Sequence, residues 1–226
     1  MIEKKFKIFT VIFLYFLLVE FALNFFNSVF NATNSSLLFF TIQSVLCLVI
    51  ISLLKTNFRN DIDKIHTNLK KLWLIPLFVI LDLVVQVVIQ NVLPINSTNQ
   101  SGIENGIQSS SSMGNFFIMI IVVFIGPIME EVIFQYFIQK VILKNNFAKF
   151  INNKKMISIL SVIIVTVLFM AFHIQSFKDI YDLSFLEYLD LSMFAIIYEL
   201  TDENLLYPIF THICLNLIAF ISVIVA

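Results

Sequence analysis

Seven stretches of this chain are so apolar, and most of them so long, that the fold they permit is one built across a lipid bilayer. They lie near residues 8–28, 37–54, 72–93, 116–139, 156–174, 188–200 and 205–225. All but the sixth approach or exceed the roughly 20 apolar residues that an α-helix needs to cross about 30 Å of hydrocarbon. Lipid offers no partner for a backbone N–H or C=O, so a crossing segment must satisfy those groups within itself, as a helix does. The residues are 59% hydrophobic and 13% charged, whereas a soluble domain uses roughly 25% charged residues to coat its surface. Gly and Pro occur only four times each and seldom interrupt a helix. The expectation is an all-α fold, a polytopic transmembrane helix bundle of about seven spans, with residues 1–226 forming a single integral membrane domain.

The connections differ in charge. Residues 55–71 carry Lys55, Arg59, Lys64, Lys70 and Lys71, and residues 140–155 carry Lys140, Lys144, Lys149, Lys154 and Lys155. Residues 29–36 and 94–115 carry no Lys or Arg. This alternation fits the positive-inside rule with the N-terminus and both basic connections cytoplasmic. Lys4, Lys5 and Lys7 precede an apolar run as in a signal peptide, but the bulky residues 21–25 are not a small-residue cleavage site. An uncleaved first helix is expected. The serine run at Ser109–Ser112, with Gly102, Gly106 and Gly114, reads as a flexible extracytoplasmic loop. The sequons at Asn31 and Asn96 are of the kind an Asn-rich chain produces by chance. A formal charge of -1 lacks the clustered basic excess that nucleic-acid binding requires. The partner common to the whole surface is the lipid bilayer.

Function in such a chain is read from ionisable groups at membrane depth, where each carboxylate costs about 2.5–3.5 kcal/mol on insertion scales. The fourth run contains Gly126-Pro127-Ile128-Met129-Glu130-Glu131 and, four residues on, Gln135. The fifth ends in Phe169-Met170-Ala171-Phe172-His173, and the seventh contains His212-Ile213-Cys214-Leu215-Asn216. His212 and Asn216 share one helix face, as do Glu131 and Gln135, while Glu130 lies about 100° around. Gly126-Pro127 permits a break in the helix where backbone meets a hydrated cavity. A carboxylate beside an imidazole can hold a water and take its proton. The His212/Asn216 face offers donors for an oxyanion. These are the parts of an amide hydrolase.

Other polar residues at depth have a plainer reading. A lone intramembrane His is more often a helix–helix hydrogen-bonding group than a catalyst. Glu20, Asp82 and Glu199 are read as structural interhelical groups. Cys47 and Cys214 read as small apolar residues, and helical geometry turns Cys214 about 200° from His212.

The pattern Glu130-Glu131-x-x-x-Gln135, Phe169-x-x-x-His173 and His212-x-x-x-Asn216 resembles the three motifs of the CPBP family. This is the CAAX-protease and bacteriocin-processing (Abi) family, which includes the type II CAAX prenyl endopeptidases. Gly126-Pro127 and Leu206-Tyr207-Pro208-Ile209 are similar to that family too, so the motif region covers about 116–225. The three N-terminal helices add nothing specific. The resemblance implies an intramembrane glutamic-type endopeptidase acting on a peptide or protein substrate. Its catalytic residues would be Glu130, Glu131, His173, His212 and Asn216: Glu130 as general base, His173 holding water, His212 and Asn216 at the oxyanion, Glu131 in support. It implies no cofactor, with a zinc ion on Glu130, His173 and His212 as a minor alternative. It implies a bacterial plasma membrane and a setting such as bacteriocin self-immunity.

One position departs from the pattern, because the Arg that ends the first motif is Gln135 here. A guanidinium is thereby lost as charge partner and bidentate fork. A catalytically degenerate immunity or scaffold protein that acts by binding is therefore the alternative. A proton-relaying transporter is weaker, since no inverted repeat is evident. The apolar boundaries also set Glu130 toward the inner side and His173 toward the outer side, about 10–15 Å apart in depth. They meet only if the fourth helix continues past Lys140 and the fifth past Gln175.

Overall fold

In the computed structural model, residues 2–18, 32–92, 98–109 and 112–225 are described. The continuation of the first apolar run to residue 28, Glu20, both sequons at Asn31 and Asn96, and Ser110 and Ser111 lie outside the described residues. Among the described residues there is no strand. Helix α1 (Ile2–Leu17) packs on α2 (Ala32–Leu53), after which the chain bends by 68° into the polar helix α3 (Lys55–Thr67). A 3-10 turn at Leu69–Trp73 leads into α4 (Leu74–Val92), followed by α5 (Thr98–Ser109). The long helix α6 spans Met113–Phe147, 35 residues, and α7 spans Lys154–Phe172. A short α8 (Phe177–Tyr181) precedes a 3-10 stretch, Ser184–Leu191, that runs into α9 (Ser192–Leu200). Helix α10 (Leu206–Val225) ends the described chain.

Four helices are long and apolar enough to cross a membrane: Leu69–Val92, α6, α7 and α10. A fifth is added if α2 and α3 are counted as one bent span. The other two of the expected seven do not reach that length among the described residues. Run 8–28 is represented by an apolar helix at Phe6–Leu17. Run 188–200 divides into a 3-10 stretch and nine residues of α-helix.

Helix α6 is the centre of the bundle. Its Ile125, Met129, Val132, Ile133 and Phe134 are buried against α1, α2, α7, α9 and α10 in one apolar cluster. The outward faces stay apolar: Met156, Ile159, Ile163 and Val167 form an exposed stripe on α7, a face that lipid covers at no cost.

Two boundaries differ from the sequence reading, for visible reasons. The fourth helix does run past Lys140, because Lys140 and Lys144 are neutralised where they stand. Lys140 Nζ lies 3.0 Å from Glu203, and Lys144 Nζ lies 2.7 Å from both Glu199 and Glu203. The fifth helix does not pass Gln175; it ends at Phe172. Ser176 then caps α8 through a reciprocal capping box with Asp179, which fixes a new helix start. The expected loop at 94–115 is largely helical. Ile103 and Ile107, one turn apart, give α5 an apolar face, and Ile107 is buried with Val123 and Phe220.

The α9–α10 turn gathers the basic end of the molecule. Asp202 (φ 56°) and Glu203 (φ 58°) are both left-handed, a conformation that costs a non-glycine residue about 1–2 kcal/mol. They are held there from several sides. Lys71 Nζ reaches the Asp202 carboxylate at 2.6 Å, Lys64 Nζ donates to the Asp202 carbonyl at 3.0 Å, and Asp61 accepts the Leu205 N–H at 3.0 Å. Burial acts to raise the pKa of Glu203, but hydrogen bonds from Lys144 and Lys140 outweigh it and hold the carboxyl below the usual range. Glu199, read from sequence as structural, accepts from Gln139, Lys144 and Ser158.

Candidate active site

Helix α6 changes its winding around the glutamates. Residues Ile120–Ile125 and Val132–Lys144 are π-helical and flank an α-helical turn, Gly126–Glu131. Such widened turns are costly and mark functional sites in many helices. The cause is local: Gly126 N–H bonds back five residues to Ile121 O. In that register the next donor, for Val122 O, belongs to Pro127, which has no N–H. Asn216 fills the vacancy by donating its Nδ2 to Val122 O at 2.8 Å. Gly126 also lies tight under the site. A Cβ there would come 3.2 Å from Ile121 O and 3.6 Å from Glu130 Oε1.

The antiparallel pairing of α6 with α7 brings the first two motifs to one level. Phe134 and Phe169 stack at 4.0 Å. One turn further along each helix, in opposite chain directions, come Glu130 and His173. The 10–15 Å offset is absent because α6 extends to Phe147, so Glu130 stands as far from the basic end as His173 does. His173 Nδ1 lies 3.0 Å from Phe169 O, and its ring packs on Tyr188 at 4.5 Å. With Nδ1 donating to that carbonyl, Nε2 keeps its lone pair.

His212 joins the two glutamates. Its Nδ1 is 2.8 Å from Glu131 Oε1 and its Nε2 is 3.8 Å from Glu130 Oε2. The ring stacks on Phe194 at 4.4 Å. The adjacent carboxylates occupy different surroundings: the Glu131 side chain is 0% exposed and Glu130 is 16% exposed. Only Glu130 looks into open space.

That space is a cavity of about 690 Å³, within the range of sites that enclose small ligands or a few residues of peptide. Glu130, His173, His212 and Asn216 all line it, and Glu131 backs it through His212. It occupies the half of the bundle away from the basic turn, reached by the later residues of α4 and α10. Sequence reasoning missed several contributors. Tyr15 and Gln43, from helices that carry no motif, line the cavity. So do Asp190, which the sequence reading did not name, and Asp82, which it read as structural; Gln86 bridges them, its Nε2 donating to Asp82 at 3.0 Å and to Asp190 at 2.8 Å. Asp82 and Gln86 lie four residues apart, a signal available in the sequence; Asp190 gave none. Among the described residues no group of three His, Cys, Asp or Glu side chains is arranged to hold a metal ion.

Residues 112–218, just under half of the chain, match the family model described as type II CAAX prenyl endopeptidase Rce1-like. This segment is similar to that family. It contains all three motifs, each facing or backing the same cavity, and it points to a CAAX-type intramembrane protease. Comparisons with curated proteins and with solved structures give no match. The point where the Rce1-like segment departs from the motif, Gln135, is fully buried beside the Glu131 carboxyl. Neither atom of the Gln135 amide has a partner in hydrogen-bonding geometry, and neither does Glu131 Oε2.

Proposed function

We propose that this protein is a glutamic-type endopeptidase that hydrolyses a peptide bond within or beside the bilayer, using water activated by Glu130. The observation that carries the reading is His212 held between two glutamates, 2.8 Å from the sealed Glu131 and 3.8 Å from the cavity-facing Glu130. Glu130 takes a proton from water as the oxygen adds to the substrate carbonyl carbon. His173 Nε2 accepts the water's other hydrogen and so aims the oxygen. When the proton shared by His212 and Glu131 sits on Glu131, His212 Nε2–H donates to the oxyanion. The Asn216 N–H not used by Val122 adds a second donor. Glu130 then returns its proton to the leaving nitrogen as the C–N bond breaks, leaving a carboxylic acid and an amine, which become a carboxylate and an ammonium once the acid proton passes to the amine.

The substrate is a peptide or protein that enters from the membrane, and bacteriocin self-immunity in a bacterial plasma membrane is the setting we favour. All basic residues but Lys178, of 14, belong to the N-terminus or to the basic end. This asymmetry supports a cytoplasmic N-terminus and a cavity in the outer half. A membrane-impermeant maleimide tests it on intact cells: Lys178→Cys should be labelled and Lys149→Cys should not. The reverse pattern inverts the orientation.

A second reading has its own support in Gln135, a neutral amide that leaves Glu131 Oε2 without a donor in good geometry, which suits a site that keeps the fold and binds without turnover. The deciding experiment uses Glu130→Gln and His173→Ala in cells, with membrane abundance measured alongside the biological effect. The endopeptidase reading expects at least a hundredfold loss of proteolysis and loss of the effect at unchanged abundance. A full effect in both variants would leave only binding.

A further inference from the structure

The cavity extends beyond the Glu130–His212 pair along α4 to the Asp82–Gln86–Asp190 bridge. Its charge is one-sided. Among the described residues lining it, Asp82, Glu104, Glu130, Glu187 and Asp190 are acidic, and none is Lys or Arg. Asp82 and Asp190 are 1% and 8% exposed, and the Oδ1 of each has no hydrogen-bond partner. Both residues line the cavity, so two buried carboxyls, each with one oxygen lacking a donor, stand at the edge of the same space. One Gln86 amide serves both carboxyls and cannot satisfy four oxygens.

A buried acceptor left unpaired is costly, and the cost is removed when a ligand brings the missing donors. The ligand that answers this need is a donor, and a cationic donor suits a lining with five carboxyl side chains and, among the described residues, no Lys or Arg. The ligand geometry for a metal ion is not present among the described residues. An ammonium or guanidinium on an apolar stem fits instead. Leu83, Ile89, Phe172 and Leu191 supply an apolar wall for the stem. Asp190 and His173 line the same cavity, so this acidic end and the proposed water site share one space.

We propose that Asp82 and Asp190 form a specificity subsite for a Lys or Arg side chain next to the bond cleaved. This rests on the endopeptidase reading above and adds to it the class of substrate.

Binding can be read without turnover. Purified Glu130→Gln protein is titrated with a fluorescent apolar hexapeptide carrying one central Lys, and with the same peptide carrying norleucine. The Lys peptide should bind at least tenfold more tightly. Adding Asp82→Asn and Asp190→Asn should abolish that preference while the norleucine peptide binds as before. Equal affinity for the two peptides overturns the proposal, and so does a preference that survives the double change. If the double variant does not fold, the comparison on the Glu130→Gln protein alone decides. A Lys preference accompanied by no cleavage of either peptide by the unaltered protein would uphold the subsite and reject the endopeptidase reading.

Discussion

The Phe134 and Phe169 rings stack with centroids 4.0 Å apart and planes at 12°, and this pair sets the height at which Glu130 and His173 meet the cavity. Phe169 is also 5.4 Å from the His173 ring and 6.4 Å from His212, so it is the apolar wedge between both imidazoles. Phe169→Ala should cost about 3–5 kcal/mol of stability, the range for emptying a buried aromatic site. Turnover should fall further than stability alone explains, because a small displacement of catalytic groups costs about a hundredfold. Thermal melting in detergent together with peptide cleavage checks this. A destabilised variant with normal turnover per folded molecule would mean that register is fixed elsewhere.

Asn216 offers a sharper test, since its amide answers a vacancy created by another residue. Asn216→Ala should leave Val122 O without a donor, at about 1–3 kcal/mol. Pro127→Ala restores a backbone N–H in the same region of α6. The double variant Pro127→Ala/Asn216→Ala should therefore recover much of the lost melting temperature. No recovery would show that Asn216 stabilises the protein by something other than that carbonyl.

How far the sequence carried the argument follows from which interactions are local. Glu130, Glu131, His173, His212 and Asn216 could be brought forward as candidates because charged and imidazole groups are rare in apolar runs. Their shared faces could be found because helical spacing is fixed. The length of α6 could not, since Lys140 and Lys144 look like a helix end until Glu199 and Glu203, roughly 60 residues away, neutralise them. Asp190 was hidden for the same reason: its partner Gln86 lies 104 positions earlier. The role of Asn216 was half visible. Its proximity to the site followed from the motif, but its bond to Val122 depends on a π-helical register that no periodicity announces.

Gln135 is the residue on which the proposed activity turns. Glu131 Oε2 has no donor in good hydrogen-bonding geometry, and the Gln135 amide beside it is close enough to act on the Glu131 carboxyl but is poorly aligned with it. An arginine there would place a guanidinium against that oxygen and fix the carboxylate that orients His212. Gln135→Arg should keep the protein folded and raise peptide turnover about tenfold, the effect expected of one supporting group around a site. Gln135→Leu removes the amide but not the orphaned oxygen and should change turnover little. A Gln135→Arg variant that accumulates normally without any gain would favour the binding reading over catalysis.

The basic turn supplies a test of stability that leaves the cavity untouched. Glu203 is held below its usual range by Lys144 and Lys140 despite burial. A carboxyl depressed in the folded state stabilises above its unfolded pKa, and that contribution disappears as pH falls through the folded value. Glu203→Gln should therefore melt below the unaltered protein at pH 7, by about 2–4 °C for each kcal/mol lost. The gap should close as the pH drops below the ordinary glutamate value near 4.3. Lys144 keeps Glu199 as a partner at 2.7 Å, so the variant should still assemble α6 against α9. A gap that persisted unchanged to acid pH would trace the loss to packing of the left-handed turn, and the ion pairs would then have no part in holding it.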